Sequence, residues 1–313
     1  MRRFFLFLSN LWVVSMLYDH VLDKRMLRRS FEQAATSYDQ SAVLQREICD
    51  RMLSRLEYIK YVPGKIIDAG SGTGYGTRKL IERYPAAEIM SMDIALTMHD
   101  RARAAMLEKI PGWQRWLPFK HHQPRGYICA DIEQLPLREA SVGMIWSNLA
   151  FQWCNDLRQT FAEAHRVLED GGLLMFSTFG PDTLKELRQA FKSVDPFSHV
   201  NRFTDMHDVG DMLVGCGFSL PVMDMEYITL TYDDVKSAMQ DLKAIGARNV
   251  TQGRRRGLMG KTTWQQVINQ YETLRKDGRL PATYEVVYGH AWKPEMRKVQ
   301  LKPETRRKLG LDP

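Results

Sequence analysis

The chain has 313 residues, of which 44% are hydrophobic and 26% charged, so a full core is expected and disordered or collagen-like classes are excluded. A formal net charge of +7 permits an acidic partner without requiring a nucleic acid. The four cysteines form no CxxC pair and no zinc-type spacing, which predicts free thiols in a reducing compartment. We therefore expect a cytoplasmic protein with no metal site.

The first 21 residues are largely apolar and stand apart from the rest of the chain. The run "MRRFFLFLSNLWVVSML" is similar to a signal sequence, but Ser9 and Asn10 interrupt it and no small-residue cleavage site follows. The run is also shorter than the roughly 20 apolar residues that span a bilayer. We interpret residues 1–21 as an extension outside the fold, which is either non-functional or precedes a true start at Met16 or Met26.

The following segments alternate between two kinds of pattern. Residues 22–62 carry apolar residues at helical spacing among charges, which predicts an N-terminal helical cap. Within residues 63–232, short apolar runs such as "KIIDAG" alternate with amphipathic segments, and Pro181 is expected to open the helix after "GLLMFSTFG". This alternation predicts a sheet of mostly parallel strands with helices on both faces.

Two strand-like runs lie near the C-terminus, "PVMDMEYITLTY" and "ATYEVVYGHAWK", and they are separated by a polar, helical segment. That segment, residues 233–280, contains "GRRRG". We predict that it is an insertion lying over one end of the sheet. Residues 281–313 are expected to form the last strand and a charged tail.

A glycine-rich run, "DAGSGTG", follows the first predicted strand. A P-loop requires a Gly-Lys pair that this run lacks, and the dinucleotide pattern GxGxxG fails because Tyr75 occupies its sixth position. The pattern that remains is DxGxGxG, formed by Asp68, Gly70, Gly72 and Gly74. Its glycines let a ligand approach the backbone closely, and no side chain in it binds phosphate. The loop therefore favours a nucleoside without a pyrophosphate, and Asp68 is expected to face an ammonium group.

Two further acids end the next two predicted strands. Asp93 ends the second strand, where a carboxylate can accept both hydroxyl groups of a ribose. Asp131 ends the third strand, where it can accept a hydrogen bond from an adenine amino group. Three acids at successive strand ends beside a glycine loop predict a nucleoside site.

The motifs "DAGSGTG", "MD", "ADIEQLP" and "GGLLMFSTFG", in this order, resemble the class I S-adenosylmethionine-dependent methyltransferases over residues 60–180. From residue 22 to 294, the runs "RRSFEQAATSYD", "WSNLAFQWCNDL", "HVNRFTDMHDVGDML" and "PATYEVVYGHAWKP" are similar to one family within that class, the malonyl-[acyl-carrier protein] O-methyltransferases. The resemblance implies a Rossmann-like fold with a seven-stranded sheet and a helical insertion before the last strand.

The resemblance also implies S-adenosyl-L-methionine as the methyl donor, S-adenosyl-L-homocysteine as its product, and no metal. The residues it assigns to the donor are Asp68, Gly70, Ser71, Gly72, Gly74, Asp93, Ile94, Asp131, Ile132, Asn148 and Leu149.

The implied reaction methylates the free carboxylate of malonyl-[acyl-carrier protein], an early step of biotin synthesis. Because a carboxylate is ionised at neutral pH, no general base is needed, and catalysis should consist of positioning. We expect one arginine to hold one carboxylate oxygen, with Arg202 preferred over Arg28 and Arg29. Tyr38 and Asn148 are expected to position the reactants and Trp153 to form a pocket wall. An acidic carrier protein would be attracted by Arg254, Arg255 and Arg256.

Three alternatives remain open from the sequence. "NDL" and "PATY" are also similar to a respiratory complex I assembly factor that hydroxylates an arginine on the same fold. A methyltransferase acting on a quinone precursor or a free acid is the second alternative. The third is a cofactor-binding assembly protein without turnover.

Overall fold

The computed structural model describes residues 20–108, 124, 126–255 and 257–295. Most of the apolar N-terminal run, Arg256 and the tail beyond residue 295 therefore lie outside the described residues. The strands in the described part are β1 (Lys65–Ala69), β2 (Glu88–Asp93), β3 (Gly126–Cys129), β4 (Val142–Asn148), β5 (Leu168–Phe179), β6 (Ser219–Tyr232) and β7 (Leu280–Trp292). The α-helices there are α1 (Lys24–Ala34), α2 (Tyr38–Ser41), α3 (Val43–Arg55), α4 (Tyr75–Arg83), α5 (Leu96–Glu108), α6 (Leu157–Val167), α7 (Lys185–Lys192), α8 (Met206–Gly215), α9 (Val235–Ala244) and α10 (Lys261–Glu272).

The strands form one sheet in the order β3-β2-β1-β4-β5-β7-β6. Strands β1 to β5 pair in parallel, whereas β7 runs antiparallel to both β5 and β6. The predicted mostly parallel, seven-stranded sheet is therefore confirmed. The strand order reverses between β1 and β4, and in such sheets ligands bind in the crevice beyond the carboxyl ends of these strands.

Helices cover both faces of the central strands of the sheet. Neighbouring residues of these strands point to opposite faces, so each strand contributes to two core clusters. Ile66 and Met144 belong to a core cluster completed by side chains of α3, α4, α7 and α10. Ile67 and Ile145 belong to a second cluster completed by side chains of α6 and α8. Burial on both faces accounts for the nearly continuous apolar runs of β1 and β4.

The N-terminal helices contact the segment between β6 and β7. The two are far apart in sequence, with Ser37 and Ala244 separated by 207 positions. Ser37 Oγ donates a hydrogen bond to the carbonyl of Ala244, 3.0 Å away. A Cβ atom on Gly246 would lie 3.0 Å from the ring of Phe31, so glycine permits this close approach. We call residues 22–42 together with residues 235–249 the roof. Among the described residues, no helix has both the length and the apolar character needed to cross a membrane.

The helix after β5 begins later than the sequence predicts. Residues 181–184 form a turn, and α7 begins at Lys185. The turn is held by β7, because the backbone N–H of Asp182 donates to Glu285 Oε2 at 2.6 Å and that of Leu184 donates to the carbonyl of Thr283 at 2.6 Å. Pro181 therefore starts this turn rather than a helix.

A buried carboxylate ties α7 to β7 at the same place. Glu186 is 8% exposed, and it accepts hydrogen bonds from the hydroxyl of Thr283 at 2.5 Å and from its backbone N–H at 3.1 Å. Replacing Thr283 by valine should lower the free energy of unfolding by about 1.5–3 kcal/mol, since a buried charged acceptor would lose a donor. Urea unfolding measures this change.

Thr229 provides the matched control for this prediction. It is the residue of β6 that pairs with Thr283, and it is exposed. The change Thr229→Val should alter the free energy of unfolding by less than about 0.5 kcal/mol, as is usual at the surface. Equal losses in the two variants would show that the bond to Glu186 is not the cause.

Candidate active site

The loop after β1 is folded by its glycines. Gly70, Gly72 and Gly74 have φ values of 79°, 53° and 77°, in the left-handed region that favours glycine. A Cβ atom on Gly70 would lie 2.2 Å from that of Ala150, so only glycine lets the loops after β1 and β4 approach this closely. Gly74 precedes α4 and packs near Ala102, without lining a described cavity.

The end of β2 fixes the position of this loop. The carbonyl of Met92 accepts hydrogen bonds from the backbone N–H groups of Gly70 at 2.8 Å and Ser71 at 2.9 Å. Asp93 Oδ2 accepts from the N–H of Gly72 at 2.9 Å, and Oδ1 accepts from that of Ala95 at 2.9 Å. Because each carboxylate oxygen has two lone pairs, Asp93 can still accept hydrogen bonds from a ribose.

Asp68 lies deeper, beneath the loop. It is 2% exposed, and its Oδ2 accepts a hydrogen bond from Thr77 Oγ1 at 2.5 Å. Burial raises the pKa of Asp68 to about 7, and the nearby charge of Asp93 acts in the same direction. A positive group beside Asp68 would reverse this shift.

A small recess connects Asp68 with the loop. It is lined in part by Tyr38, Gln45, Gly72 and Asn148. Gln45 Oε1 is a buried acceptor with no hydrogen-bond partner within the described part of the chain. A buried carboxyl group and an unused acceptor thus lie in one recess, an arrangement that suits an ammonium group.

Asn148 is the last residue of β4 and lines this recess, and Leu149 follows it directly. The amide of Asn148 donates to the carbonyl of Gln45 at 3.0 Å and accepts from Ser177 Oγ at 2.8 Å. Leu149 has a φ of 53° and is held by a hydrogen bond from its N–H to the carbonyl of Ser177. The strand end is therefore rigid.

Tyr38, at the start of α2, closes the recess from the roof side. A Cβ atom on Gly72 would lie 3.9 Å from its ring, so the two residues face each other across a narrow space. Burial, followed by the charges of Asp93 and Asp39, raises the pKa of Tyr38, which keeps its phenol neutral.

Asp131 has a partner that the sequence analysis did not find. Its Oδ1 accepts hydrogen bonds from Lys24 Nζ at 3.0 Å and from the backbone N–H of Glu133 at 3.1 Å. Lys24 also forms an ion pair with the side chain of Glu133. Both contacts of Asp131 fall on one oxygen, which leaves Oδ2 to accept from a ligand.

One cavity of about 570 Å³ unites these groups. Gly70, Asp93, Ile94, Asp131, Ile132, Asn148, Leu149 and Trp153 line it, as do residues of both halves of the roof. Beyond the strand ends the cavity is largely apolar, with Phe179, Leu187, Phe203 and Tyr284 in its wall. The rings of Phe31 and Trp153 form an edge-to-face contact, with 5.4 Å between their centroids.

The arginines singled out in the sequence lie outside the lining of this cavity. Arg28 and Arg29 are exposed on α1, and Arg202 is exposed beside a neighbouring groove. Arg254 donates to the carbonyl of Thr251 at 2.8 Å, and Arg255 pairs with Asp195 at 3.2 Å.

Besides Lys24, two cationic side chains in the lining were missed, Lys243 and Arg248. Neither makes a hydrogen bond or an ion pair through its side chain with another described residue. Lys243 lies within α9 and Arg248 shortly after it, and neither belongs to a motif, so no pattern in the sequence marked them. Among the described residues, no group of three or more His, Cys, Asp or Glu side chains is arranged to hold a metal ion.

Comparison with known proteins bears on the fold and the family of this chain. A family model described as "Methyltransferase domain" matches residues 67–176. The YcgJ protein from Bacillus subtilis has a similar fold, with a TM-score of 0.55 and 14% identity over 78% of this chain and 98% of that one. A phosphoethanolamine N-methyltransferase from Haemonchus contortus, solved with S-adenosylhomocysteine, has a TM-score of 0.51 and 15% identity over 88% of this chain and 61% of its own.

The fold and the glycine loop are those of a class I S-adenosylmethionine-dependent methyltransferase. A malonyl-[acyl-carrier protein] O-methyltransferase from Nitrosospira multiformis is 63% identical over 298 residues, which cover 94% of this chain and 97% of the relative. The chain therefore belongs to the malonyl-[acyl-carrier protein] O-methyltransferase family.

The raised pKa of Asp68 predicts a pH-dependent stabilisation by ligand. The unfolded chain has a carboxyl pKa of about 4, so the folded protein loses stability from Asp68 as the pH rises from about 4 through about 7. An ammonium group in the recess relieves this loss. S-adenosylhomocysteine should therefore raise the melting temperature more at about pH 8 than at about pH 6.

The variant Asp68→Asn is the control, because its neutral amide keeps the shape and the bond to Thr77. In this variant, the ligand-induced shifts in melting temperature at the two pH values should differ less. Equal ligand-induced shifts at both pH values in the unchanged protein would contradict the assignment of Asp68 to the ammonium group.

Proposed function

We propose that this protein transfers the methyl group of S-adenosylmethionine to the free carboxylate of malonyl-[acyl-carrier protein] and so forms the methyl ester. The single observation that carries the proposal is 63% identity to a protein of that name over nearly the whole chain. The cavity agrees with it, because one space joins the nucleoside residues to an apolar end lined by two cations of the roof.

The residues present fit S-adenosylmethionine. The recess offers Asp68 and the unpaired Gln45 Oε1 to an ammonium group, and Asp93 retains lone pairs for ribose hydroxyls. Asp131 Oδ2, with Ile94 and Ile132 alongside, suits the amino edge and faces of adenine. When bound, the cofactor supplies a methyl group on a positively charged sulfur.

The protein's own part in the reaction is to position the two reactants and to exclude water from them. A malonyl carboxylate, with a pKa of about 4, is already ionised, so no residue needs to remove a proton. A cation and an anion become two neutral products, so a strongly polar site would stabilise the reactants more than the transition state. The apolar wall of Leu149, Trp153, Phe179 and Phe203 meets this requirement.

A carboxylate inside an apolar cavity still needs a partner, because an unpaired buried charge is strongly unfavourable. Arg248 and Lys243 supply positive charge in the lining, and neither is neutralised by a described acid. Arg248 is the better candidate, since a guanidinium can bind one carboxylate oxygen in a fixed geometry. We assign it this role in place of Arg202.

The carrier protein is the proposed macromolecular partner. Arg254 and Arg255 remain candidates for docking, although the ion pair of Arg255 with Asp195 gives that residue a structural role as well. These two residues line a shallow groove that includes the exposed ring of Phe197. An acidic surface with an apolar residue would fit this groove.

The activity is tested directly by incubating the protein with methyl-labelled S-adenosylmethionine and malonyl-[acyl-carrier protein]. The labelled methyl ester should appear in the mass spectrum of the carrier. Free malonate and a quinone precursor serve as comparison substrates. Transfer to either of these, with none to the carrier-bound malonyl group, would overturn the proposal.

The assignment of Arg248 is tested with a short malonyl thioester. The change Arg248→Gln should raise KM about tenfold or more through the loss of a charge-assisted bond, while S-adenosylhomocysteine binding stays unchanged. Arg83→Gln, an exposed change on α4 far from the lining, is the matched control. If Arg202→Gln rather than Arg248→Gln raises KM for this substrate, the assignment of Arg248 is wrong.

A further inference from the structure

A second groove adjoins the main cavity and has no role in the steps above. Its volume is about 340 Å³, and it shares four lining residues with the cavity: Gln152, Phe179, Asn201 and Phe203. The two spaces therefore meet at these side chains. We call the second space the side groove.

Asn201 lies at this junction with an unused acceptor. The residue is 8% exposed, and its Oδ1 is buried without a hydrogen-bond partner in the part of the chain that the structure describes. Such an atom is unfavourable unless a ligand donates to it. The malonyl group cannot do so, because its carboxylate and its thioester carbonyl only accept hydrogen bonds.

Two arginines and one acid line the side groove, and the acid, Asp156, accepts a hydrogen bond from the backbone N–H of Gln159 in α6. Arg158 and Arg202 line it, and both are exposed. Neither guanidinium forms a hydrogen bond or an ion pair with another described residue. Two exposed guanidinium groups in the lining of a groove suit a phosphate, which arginine binds through paired hydrogen bonds.

The side groove also opens next to the proposed docking segment. The backbone N–H of Gln252 donates to the carbonyl of Val21, which lines the groove, at 2.9 Å. Arg254 follows two residues later and is held to Thr251. A carrier bound at Arg254 would therefore stand on the side of the molecule where the groove opens.

Carrier proteins hold acyl groups on an arm with a phosphodiester at the protein end and two amides before the thioester sulfur. We propose, building on the function proposed above, that the side groove is the entry for this phosphate-and-amide arm. Arg158 and Arg202 bind its phosphate, and Asn201 accepts a hydrogen bond from one of its amide N–H groups. The malonyl group then lies in the main cavity, with its carboxylate toward the roof.

The proposal is tested with three malonyl thioesters: one on phosphopantetheine, one on pantetheine without the phosphate, and one on butanethiol without amides. The double variant Arg158→Gln/Arg202→Gln should raise KM about tenfold for the phosphorylated thioester and leave the other two unchanged. Asn201→Leu should raise KM about fivefold for both amide-containing thioesters and leave the butyl thioester unchanged. Asn201→Ser replaces it if the leucine variant does not fold, as judged by S-adenosylhomocysteine binding.

The control is Arg83→Gln/Arg138→Gln, which removes the same charge from exposed arginines that line none of the described cavities. It should leave KM unchanged for all three thioesters. Equal effects of the groove variants on all three thioesters would overturn the arm assignment while the proposed function stands. No methylation of any thioester by the unchanged protein would instead overturn the proposed function.

Discussion

The attachment of the glycine loop to the end of β2 is the constraint on which the site depends. Met92 binds two backbone N–H groups of the loop and Asp93 binds a third. These bonds hold the loop in a conformation in which three glycines have positive φ values, which residues with a side chain rarely adopt. The same carboxylate remains available to a ligand, so one residue shapes the loop and also faces the cavity.

The sequence predicted those features that depend on local patterns. The alternating runs predicted the sheet, and the glycines and the acids at strand ends predicted residues that line the cavity, since each follows from a short stretch of chain. The structure added what depends on distant contacts. Lys24 on Asp131, Gln45 in the recess and Arg248 in the wall come from segments with no motif, and only folding brings them to the strand ends. The turn at Pro181 is another such case, because β7 holds it.

Charge is distributed unevenly between the two parts of the cavity. Acids of the sheet lie beside the ends of the parallel strands, where burial and the charge of Asp93 raise the pKa of Asp68. Unpaired cations lie in the roof, and further arginines lie along the side groove. In the proposed reaction a positively charged donor would lie near the acids and a negatively charged acceptor near the cations, with an apolar wall where they meet.

The position of β7 in the sheet has a consequence for the order of events during synthesis. Although β7 is the last described strand in sequence, it lies between β5 and β6 and pairs with both. During synthesis, β6 leaves the ribosome before β7, the strand with which it pairs. Until β7 follows, one edge of β5 has no partner. The described sheet is complete only once β7 has left the exit tunnel, so its maturation depends on the strand that comes last in the described part of the chain.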